Sequence, residues 1–307
     1  MKKRIAVCGS YVTDLMARTP HLPSAGETVL GSWFQSGPGG KGFNQAVAAH
    51  KAGAWVTIGT KLGRDMFGQQ ARAVMKELGM SEAYVLTDPE LPTGAALIAV
   101  DGGTGQNQIA VVPGACGRFT AAETAALEPL VRDSHILLTQ LEIDMDAVQR
   151  LIRTAWEQGT AVVLNPAPVR PLPEDLLSMV SIITPNEVEA QALTGIEVDS
   201  EASAEAAARW FLDRGVKQAV ITLGSRGVYA HDGASGRLIP ARRVRAVDTT
   251  GAGDAFNGGL VTALAEGKDL WAACEFANAL ASLSVQRVGT APAMPARREI
   301  QQALESR

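Results

Sequence analysis

The chain has 307 residues, of which 46% are hydrophobic and 20% charged, and its formal net charge is −4. These values are ordinary for a globular protein, and the small negative charge excludes a general electrostatic attraction to nucleic acid or to anionic lipid. The three cysteines are scattered and form no CxxC pair, so neither a disulfide framework nor a zinc site is predicted. No apolar segment approaches the roughly 18 residues that span a membrane. We therefore expect a cytoplasmic protein that forms one domain over residues 1–307.

Short apolar segments alternate along the chain with longer segments in which apolar residues recur at helical spacing. The strand-like segments are residues 5–9, 55–63, 135–142, 161–167, 181–186 and 219–224. The helix-like segments, most of which end in glycine, a common helix stop, are residues 43–53, 67–79, 145–159 and 203–215. Continuous apolar strands that alternate with helices favour a parallel sheet covered on both faces. The sequence therefore predicts an α/β fold with a mainly parallel central sheet.

Two segments interrupt this alternation, at residues 11–37 and 92–112. Their β-branched residues, and turn signals such as DGGTG at residues 101–105, are typical of hairpins. We expect the two segments to form a small separate sheet. Because ligands bind at the carboxyl edge of a parallel sheet, we interpret this small sheet as a candidate lid.

Polar residues follow several of the predicted strands directly. They are Asp14, Glu142, Asn165, Asn186, Gly224 and the segment 248–259. The carboxyl ends of parallel strands meet at one edge of a sheet. We therefore expect these residues to converge on one site, although they are far apart in the sequence.

The segment DTTGAGDAFNGG at residues 248–259 combines glycines with a carboxylate at the start of a helical pattern. Free N–H groups at a helix N-terminus bind anions, and small residues allow an oxyanion to approach the backbone. Two other interpretations stay open from the residues alone. Asp254 could simply interact with the helix dipole from the first turn. The segment could also belong to a dinucleotide site, although it lacks the GxGxxG spacing and the acidic residue about twenty positions later.

A second glycine-rich turn, GGKGFNQA at residues 39–46, also runs into a helical pattern. Lys41 could meet a phosphate there, and Asn44 could bind hydroxyl groups. The segment is not a P-loop, because the GxxxxGK[ST] spacing is absent. The structural alternative is a tight turn with Asn44 near a helix cap.

Two later segments can each be interpreted either as part of a binding site or as a structural feature. Asn186 and Glu189 are three residues apart, which is the spacing of a helix capping box. TLGSRG at residues 222–227 could contact a nucleotide or form a hairpin. The four histidines lack metal-ligand spacing, and no residues suggest a Ser-His-Asp arrangement.

GGKGFN at residues 39–44, followed much later by DTTGAGDAF at residues 248–256, resembles the two signatures of the PfkB family of carbohydrate kinases. The similarity extends along almost the whole chain and is greatest to the ribokinase branch, through GETV, LNPAP, IITPNE and ITLGSRGV. The resemblance implies a ribokinase-like three-layer α/β sandwich with a small β-sheet lid, in agreement with the fold expected above. It also implies the transfer of a phosphoryl group from ATP to a sugar.

The resemblance implies a role for each matching residue. Asp254 would be the base that receives the proton of the sugar's primary hydroxyl, and the N–H groups of Gly251, Ala252 and Gly253 would form an anion hole. The sugar positions are Asp14, Gly40, Lys41, Asn44, Glu142 and Asp254. The positions near the ATP phosphates and Mg²⁺ are Asn186 and Glu189. The positions on the adenine and ribose side are Thr222, Gly224, Ser225, Gly227 and Asn278.

The resemblance further implies a K⁺ site beside the anion hole, formed largely by backbone carbonyls. Its ligands would come from Asp248, Thr250, Ser284, Arg287 and Gly289. Ala293 stands where the family often has serine, which is a departure in this region. A homodimer built through the lids is also implied.

A second departure is Val12, because ribokinases usually have asparagine two residues before the sugar-binding Asp14. Valine cannot pair with a hydroxyl, so the identity of the sugar is open; the alternative is that Thr13, Tyr11 or a bound water supplies the missing contact. We expect phosphorylation of D-ribose to D-ribose 5-phosphate, with 2-deoxyribose or another furanose or hexose as the alternative and a nucleoside as a weaker one. A non-catalytic sugar-binding regulator is disfavoured by the intact Asp254 and anion hole. A dinucleotide-dependent oxidoreductase is disfavoured because the first strand is not followed by the fingerprint of such enzymes.

Overall fold

The computed structural model describes residues 3–306, and within them nine strands form one large sheet. In chain numbering these strands are β1 (Arg4–Cys8), β4 (Trp55–Gly63), β5 (Tyr84–Asp88), β8 (Ile136–Thr139), β9 (Ala161–Leu164), β10 (Ile182–Ile183), β11 (Gln218–Thr222), β12 (Val228–His231) and β13 (Gly236–Ile239). Their spatial order is β13-β12-β11-β10-β9-β8-β1-β4-β5. Pairing is parallel from β5 to β11 and antiparallel from β11 to β13. The predicted mainly parallel central sheet is confirmed.

Helices cover both faces of this sheet. They are α1 (Lys41–Lys51), α2 (Met66–Glu77), α3 (Ala121–Arg132), α4 (Met145–Glu157), α5 (Glu174–Leu177), α6 (Glu187–Thr194), α7 (Glu201–Leu212), α8 (Ala252–Ala265), α9 (Leu270–Ser284) and α10 (Arg297–Glu305). Ile5 and Val7 of β1 enter a core shared with α1, α8 and α9, whereas Ala6 and Cys8 enter a core shared with α3, α4 and α7. Alternate residues of one strand therefore face different cores, as expected for the middle layer of a three-layer sandwich.

The two segments that interrupt the alternation form a second, smaller sheet. Its strands are β2 (Val12–Thr19), β3 (Trp33–Gly39), β6 (Thr93–Asp101) and β7 (Asn107–Gly114). Their order is β3-β2-β6-β7, with β2 and β6 parallel and the outer pairs antiparallel. On one face Val12 packs with Ala96 and Ile98. On the other face the side chains of Phe34 and Leu97 are exposed.

Helix α1 follows directly after β3 and packs against α8, and this packing joins the two glycine-rich segments. A Cβ atom at Gly258 of α8 would lie 2.5 Å from the Cβ of Ala48, so only glycine allows the helices to come this close. The first turns of both helices consequently meet at the carboxyl edge of the large sheet. In the part of the chain that the structure describes, no helix is long and apolar enough to cross a membrane.

Candidate active site

Helix α8 begins directly after Gly251, whose φ of 76° lies in the left-handed region. Residues with a Cβ atom rarely adopt this conformation, so the turn into the helix favours glycine. Within residues 3–306, no side chain caps this helix start. The N–H of Ala252 donates to the carbonyl of Thr249 at 3.2 Å. A helix N-terminus without a side-chain acceptor is suited to bind an anion.

Asp254 lies in the first turn of α8, and only 6% of it is exposed. Its carboxylate accepts a hydrogen bond from Nδ2 of Asn44 at 3.0 Å and another from Nε2 of Gln45 at 2.9 Å. Both donors belong to α1, which lies 209 to 210 residues earlier in the chain. The carboxylate is therefore held by contacts between helices, in addition to any interaction with the dipole of its own helix.

Gly42 explains how α1 reaches this position. A Cβ atom at Gly42 would lie 2.5 Å from backbone atoms of Gly9 and Ser10, so a larger residue would push the helix away from the end of β1. The two residues that contact Asp254 follow within one turn of α1, and both are buried. The glycine-rich turn thus places amide side chains against the carboxylate.

The charged side chains of Lys41, the first residue of α1, and of Glu142 complete this part of the site. Burial lowers the pKa of the Lys41 ammonium, but the carboxylates of Asp254, Glu142 and Glu189 outweigh burial and raise its pKa. Lys41 is therefore a cation held among three carboxylates. Glu142 accepts the backbone N–H of Lys41 at 2.9 Å and the hydroxyl hydrogen of Ser10. Its carboxylate consequently stabilises the start of α1.

Asp14 of β2 brings the small sheet into the site. Burial raises the pKa of Asp14 to about 6, against the effect of a hydrogen bond from Thr290, and the negative charges of Glu142 and Asp254 add to the rise. Oγ1 of Thr290 lies 3.4 Å from the Asp14 carboxylate. Asp14 and Thr290 line a pocket between the small sheet and the segment 288–292.

Asn186 and Glu189 form the capping box that the sequence left open as a structural alternative. Oδ1 of Asn186 accepts the N–H of Glu189 at 2.8 Å, and the Glu189 carboxylate accepts the N–H of Asn186 at 2.9 Å. Burial and the charge of Asp254 raise the pKa of Glu189, although the Asn186 N–H and Lys41 oppose this. The same two side chains also line the cleft that contains Asp254. Their structural role therefore leaves them in position to meet a ligand.

The cleft at the start of α8 has a volume of about 150 Å³. Its lining combines residues from both glycine-rich segments with residues that follow the strands: Lys41, Asn165, Ala167, Thr184, Asn186, Glu189, Thr222, Thr249, Gly251, Ala252, Gly253, Asp254 and Asn257. Strand residues at the carboxyl edge were expected to converge here, and Asn165 and Asn186 do so. An anionic ligand in this cleft would contact the helix start, Lys41 and Asp254 together.

The residues matched to the adenosine side lie further along the same edge. Gly224, Ser225 and Gly227 lie in the turn between β11 and β12, which is the hairpin that the sequence allowed. Asn278 of α9 is buried, and its Nδ2 lies 3.3 Å from the carbonyl oxygens of Ile239 and Pro240. Asn278 thus fixes the chain that leads from β13 towards the segment 240–250.

The residues matched to a K⁺ site lie in two adjoining loops. Asp248 joins these loops, because one carboxylate oxygen accepts the N–H of Thr250 at 2.9 Å and the other accepts the N–H of Gly289 at 2.9 Å. The carbonyl of Ser284 accepts the N–H of Arg287 at 3.1 Å, and the Arg287 side chain pairs with Glu299. Among residues 3–306, no cluster of three or more His, Cys, Asp or Glu side chains could hold a metal. A cation here would depend on carbonyl oxygens.

Val12 faces the same side of the small sheet as Asp14, because residues two apart in a strand share a face. Only 4% of Val12 is exposed, and it lies in the apolar cluster with Ala96 and Ile98. Thr13 points to the opposite face and therefore cannot replace an asparagine at position 12 as a partner for a ligand on the Asp14 side.

Gln45 and Gln140 are site residues that the sequence analysis did not identify. Both are completely buried, and Gln45 donates directly to Asp254. The available signals were the position of Gln45 inside GGKGFNQA and the polar Gln140 at the end of an otherwise apolar strand segment. Neither signal shows that the two side chains meet, since they are 95 residues apart.

The chain is similar to known proteins over nearly its full length. Residues 2–297 match the model of the pfkB family of carbohydrate kinases. The chain is 39% identical to a ribokinase of Haemophilus influenzae over 99% of each chain, and 36% identical to a deoxyribokinase of Salmonella typhi over 95% of each. A structure of Arabidopsis thaliana ribokinase complexed with ribose and ATP is 31% identical and superimposes with a TM-score of 0.90 over 99% of each chain. The chain therefore belongs to the pfkB family of carbohydrate kinases.

Proposed function

We propose that this chain transfers the terminal phosphoryl group of ATP to the primary hydroxyl of D-ribose and produces D-ribose 5-phosphate. The observation that carries the proposal is the buried carboxylate of Asp254, held by two amide donors at a helix start that lacks a side-chain cap. A proton acceptor would then lie beside an anion site. The full-length similarity to ribokinases, one of them with ribose and ATP bound, supports ribose as the sugar.

In the proposed reaction, the sugar oxygen attacks the terminal phosphorus while its proton passes to Asp254. The bond between that phosphorus and the oxygen of the departing ADP breaks, so the products are the sugar phosphate and ADP. The N–H groups at residues 251–253 and the ammonium of Lys41 would stabilise the charge on the transferring group. This requires positioning and charge compensation more than covalent participation of the protein.

The sugar would lie between the small sheet and α1, in contact with Asp14, Gly40, Asn44 and Glu142. Oδ1 of Asn44 supports this position, because it is buried and has no hydrogen-bond partner among the described residues. A buried acceptor without a partner is unfavourable, and a sugar hydroxyl would satisfy it. Asn44 would then hold the sugar through Oδ1 and the base through Nδ2.

The nucleotide would lie along the cleft that runs from residues 251–254 to Thr222 and the turn at residues 224–227. Asn186 and Glu189 fit a Mg²⁺ ion bound mainly to phosphate and water, because such ions take few protein ligands and those are oxygen atoms. When bound, Mg²⁺ neutralises charge on the ATP phosphates. The adenosine contacts would come from the turn after β11 and from the region around Asn278.

A K⁺ ion would be held by carbonyl oxygens of the loops that contain Asp248, Thr250, Ser284 and Gly289. The two hydrogen bonds that Asp248 accepts already bring these loops together. A cation between them would fix the turn that leads into α8 without contacting the substrate. Ala293 supplies no side-chain oxygen at the position where the family often has serine.

A homodimer through the small sheets would cover the exposed face that carries Phe34, Leu97 and Val112. These side chains are 66%, 54% and 56% exposed. Neighbouring exposed apolar side chains on one sheet face are typical of a protein interface. The opposite face, which carries Asp14, would remain available to the sugar.

The second candidate substrate is 2-deoxyribose, and the observation that favours it is Val12. An apolar side chain on the Asp14 face would leave one ribose hydroxyl without a partner, whereas a sugar that lacks this hydroxyl would lose nothing. The similarity to deoxyribokinases is in agreement with this candidate. Another furanose or hexose remains the weaker alternative.

The test is a coupled ADP-release assay with ribose, 2-deoxyribose, fructose and nucleosides, on the wild type and on Asp254→Asn. General-base catalysis contributes about 10²–10⁴-fold in rate, so we expect Asp254→Asn to lose turnover on that scale while sugar and ATP binding change only a few-fold. Asp232→Asn, in a surface turn, is the matched control and should retain turnover. Near-normal turnover of Asp254→Asn would refute the role of the base. Ribose binding without ADP release by the wild type would indicate a regulator.

A further inference from the structure

Three buried amide side chains lie behind Asp254, and of these Asn165 also lines the cleft. Nε2 of Gln45 lies 2.9 Å from the Asp254 carboxylate and 3.0 Å from Oδ1 of Asn165. Oε1 of Gln45 accepts a hydrogen bond from Nε2 of Gln140 at 2.5 Å. Gln45 and Gln140 are completely buried, and Asn165 is 6% exposed. Such a group of buried amides needs a reason, because polar side chains are rarely buried unless they are paired.

The direction of every hydrogen bond among these amide side chains is fixed by groups that can only accept. Nδ2 of Asn165 donates to the backbone carbonyl of Thr184 at 3.0 Å, so its Oδ1 must face Gln45. The ionised carboxylate of Asp254 also only accepts. Gln45 therefore donates one N–H to Asn165 and the other to Asp254, and its oxygen accepts a hydrogen bond from Gln140. A reversed amide would place oxygen against oxygen at two contacts.

The supports of Gln45 come from the rigid centre of the fold. Gln140 follows β8 directly, and Asn165 follows β9 directly. These two strands are neighbours in the large sheet. The amide of Gln45 is thus anchored to adjacent strand ends, while its own backbone belongs to α1.

We propose that Gln45 is a positioning residue for phosphoryl transfer: oriented by Gln140 and Asn165, it holds one oxygen of the Asp254 carboxylate and leaves the other to Asn44 and the sugar hydroxyl. The proposal rests on the proposed role of Asp254 as the base. Gln45 touches neither substrate nor the reacting atoms, and acts only through Asp254. Gln45 fixes the position of the Asp254 carboxylate, which matters because a base must lie within hydrogen-bond reach of the proton it removes.

The expected consequence is a loss of kcat without a loss of binding. Gln45→Met keeps the length of the side chain and removes the donor, and a hydrogen bond to a charged group is strong enough for its loss to lower kcat about 10–100-fold. The KM values for ribose and ATP should stay within about 3-fold, because no contact with either ligand is removed. Gln140→Met removes the support of Gln45 and should lower kcat less, by about 3–10-fold.

The pH profile gives a readout that a purely structural role would not change. An N–H donor favours the ionised form of the carboxylate it contacts, so its removal should move the acid limb of the kcat profile to higher pH. The other charged groups that face Asp254 are Lys41 of α1, Glu189 of α6 and Asp14 of β2. None of them is altered in Gln45→Met.

Thr139→Val is the matched control. Thr139 is completely buried on the strand that precedes Gln140, and its hydroxyl donates to the carbonyl of Cys8 at 2.8 Å. The variant loses this buried hydrogen bond and a weaker contact at 3.5 Å with the backbone carbonyl of Gln140, but the Thr139 side chain contacts none of the amide side chains. It should lower the melting temperature and leave kcat, KM and the pH profile unchanged.

The experiment measures kcat, KM and pH profiles with ribose for these three variants, for Asp254→Asn and for the double variant Gln45→Met/Asp254→Asn. The proposal expects the double variant to be no slower than Asp254→Asn, because Gln45 acts only through that carboxylate. A kcat for Gln45→Met within about 2-fold of the wild type, or an unmoved acid limb, would overturn it. If Gln45→Met does not fold, Gln140→Met decides by the same criteria. An active Asp254→Asn would instead refute the role of the base, so the two failures can be distinguished.

Discussion

Replacement of Asp14 by asparagine should stabilise the ligand-free protein above pH 6 and weaken sugar binding. Burial, with the charges of Glu142 and Asp254, raises the pKa of Asp14 from 3.8 to about 6 in the folded state. Because the folded pKa lies above the unfolded one, the native state binds more protons between these values, and the free energy of unfolding falls as pH rises through this window. A difference of about two pKa units corresponds to about 3 kcal/mol. The penalty is absent below about pH 4 and complete above about pH 6.

We therefore expect Asp14→Asn to exceed the wild type in free energy of unfolding by about 1–3 kcal/mol at pH 8. Most of this advantage should be lost near pH 4.5, where the side chain at position 14 is neutral in both folded proteins, and the rest should disappear below about pH 4. Urea titrations of the ligand-free proteins at both pH values measure this difference. An equal difference at the two pH values, or a less stable Asp14→Asn at pH 8, would refute the reasoning.

Asp65 supplies a control of opposite sign. Burial raises its pKa, but the backbone N–H groups of Gly68 and Thr93, at 2.8 and 2.6 Å, outweigh burial and lower it. Asp65→Asn should therefore destabilise the protein at pH 8, and this difference should shrink as pH falls through the lowered pKa. In the same experiments, the wild-type KM for sugar should rise as pH falls through about 6, because protonated Asp14 loses acceptor capacity.

Three other predictions test the cation, the small sheet and the sugar. Replacing K⁺ by Na⁺ at constant ionic strength should lower kcat, because a cation under residues 248–250 would orient the start of α8; equal rates after thorough removal of K⁺ would contradict the site. Sugar should slow hydrogen exchange in segments 11–37 and 92–112, since closure excludes water from the reaction; unchanged exchange in both would mean that they do not close. Val12→Asn should shift the ratio of kcat/KM towards ribose over 2-deoxyribose by about ten-fold, as a hydroxyl gains a partner worth about 1.4 kcal/mol; an unchanged ratio would show that position 12 does not contact the sugar.

Much of the fold could be predicted because its strands are buried on both faces. Each strand-like segment in the expected sheet contains a strand of the structure, and periodicity also identified four of its helices. Helix α9 was not predicted, and its composition explains this: buried residues occupy most of its surface, so apolar residues do not recur at helical spacing. Helix α3 was not predicted either, because it contains Pro129, and proline usually ends a helical pattern. The strands β12 and β13 were not predicted because each has only four residues.

The site could be predicted in its parts but not in its connections. The glycine-rich segments and the residues at strand ends were identified individually, and the sheet geometry indicated one edge. That Asp254 accepts from Asn44 and Gln45 depends on how α1 packs against α8, which no spacing in the sequence records. The capping box of Asn186 and Glu189 illustrates the opposite case, because local spacing revealed the structural role while the position of both side chains in the cleft required the tertiary fold.

The charges of the site link its stability to its ligands. The carboxylates of Glu142, Glu189 and Asp254 face the ammonium of Lys41, and Asp14 adds a fourth carboxylate close to Glu142 and Asp254. Burial raises the pKa of Asp14 and of Glu189. An arrangement with this excess of negative charge would repel ATP, and the amide dipoles at the start of α8, together with any cation bound with the nucleotide, would compensate for it. Sugar hydroxyls that donate to Asp14 would remove part of the same penalty. The free energy by which ionised Asp14 destabilises the ligand-free fold would then contribute to the affinity for the sugar. Asp14→Asn is therefore expected both to raise stability and to weaken sugar binding.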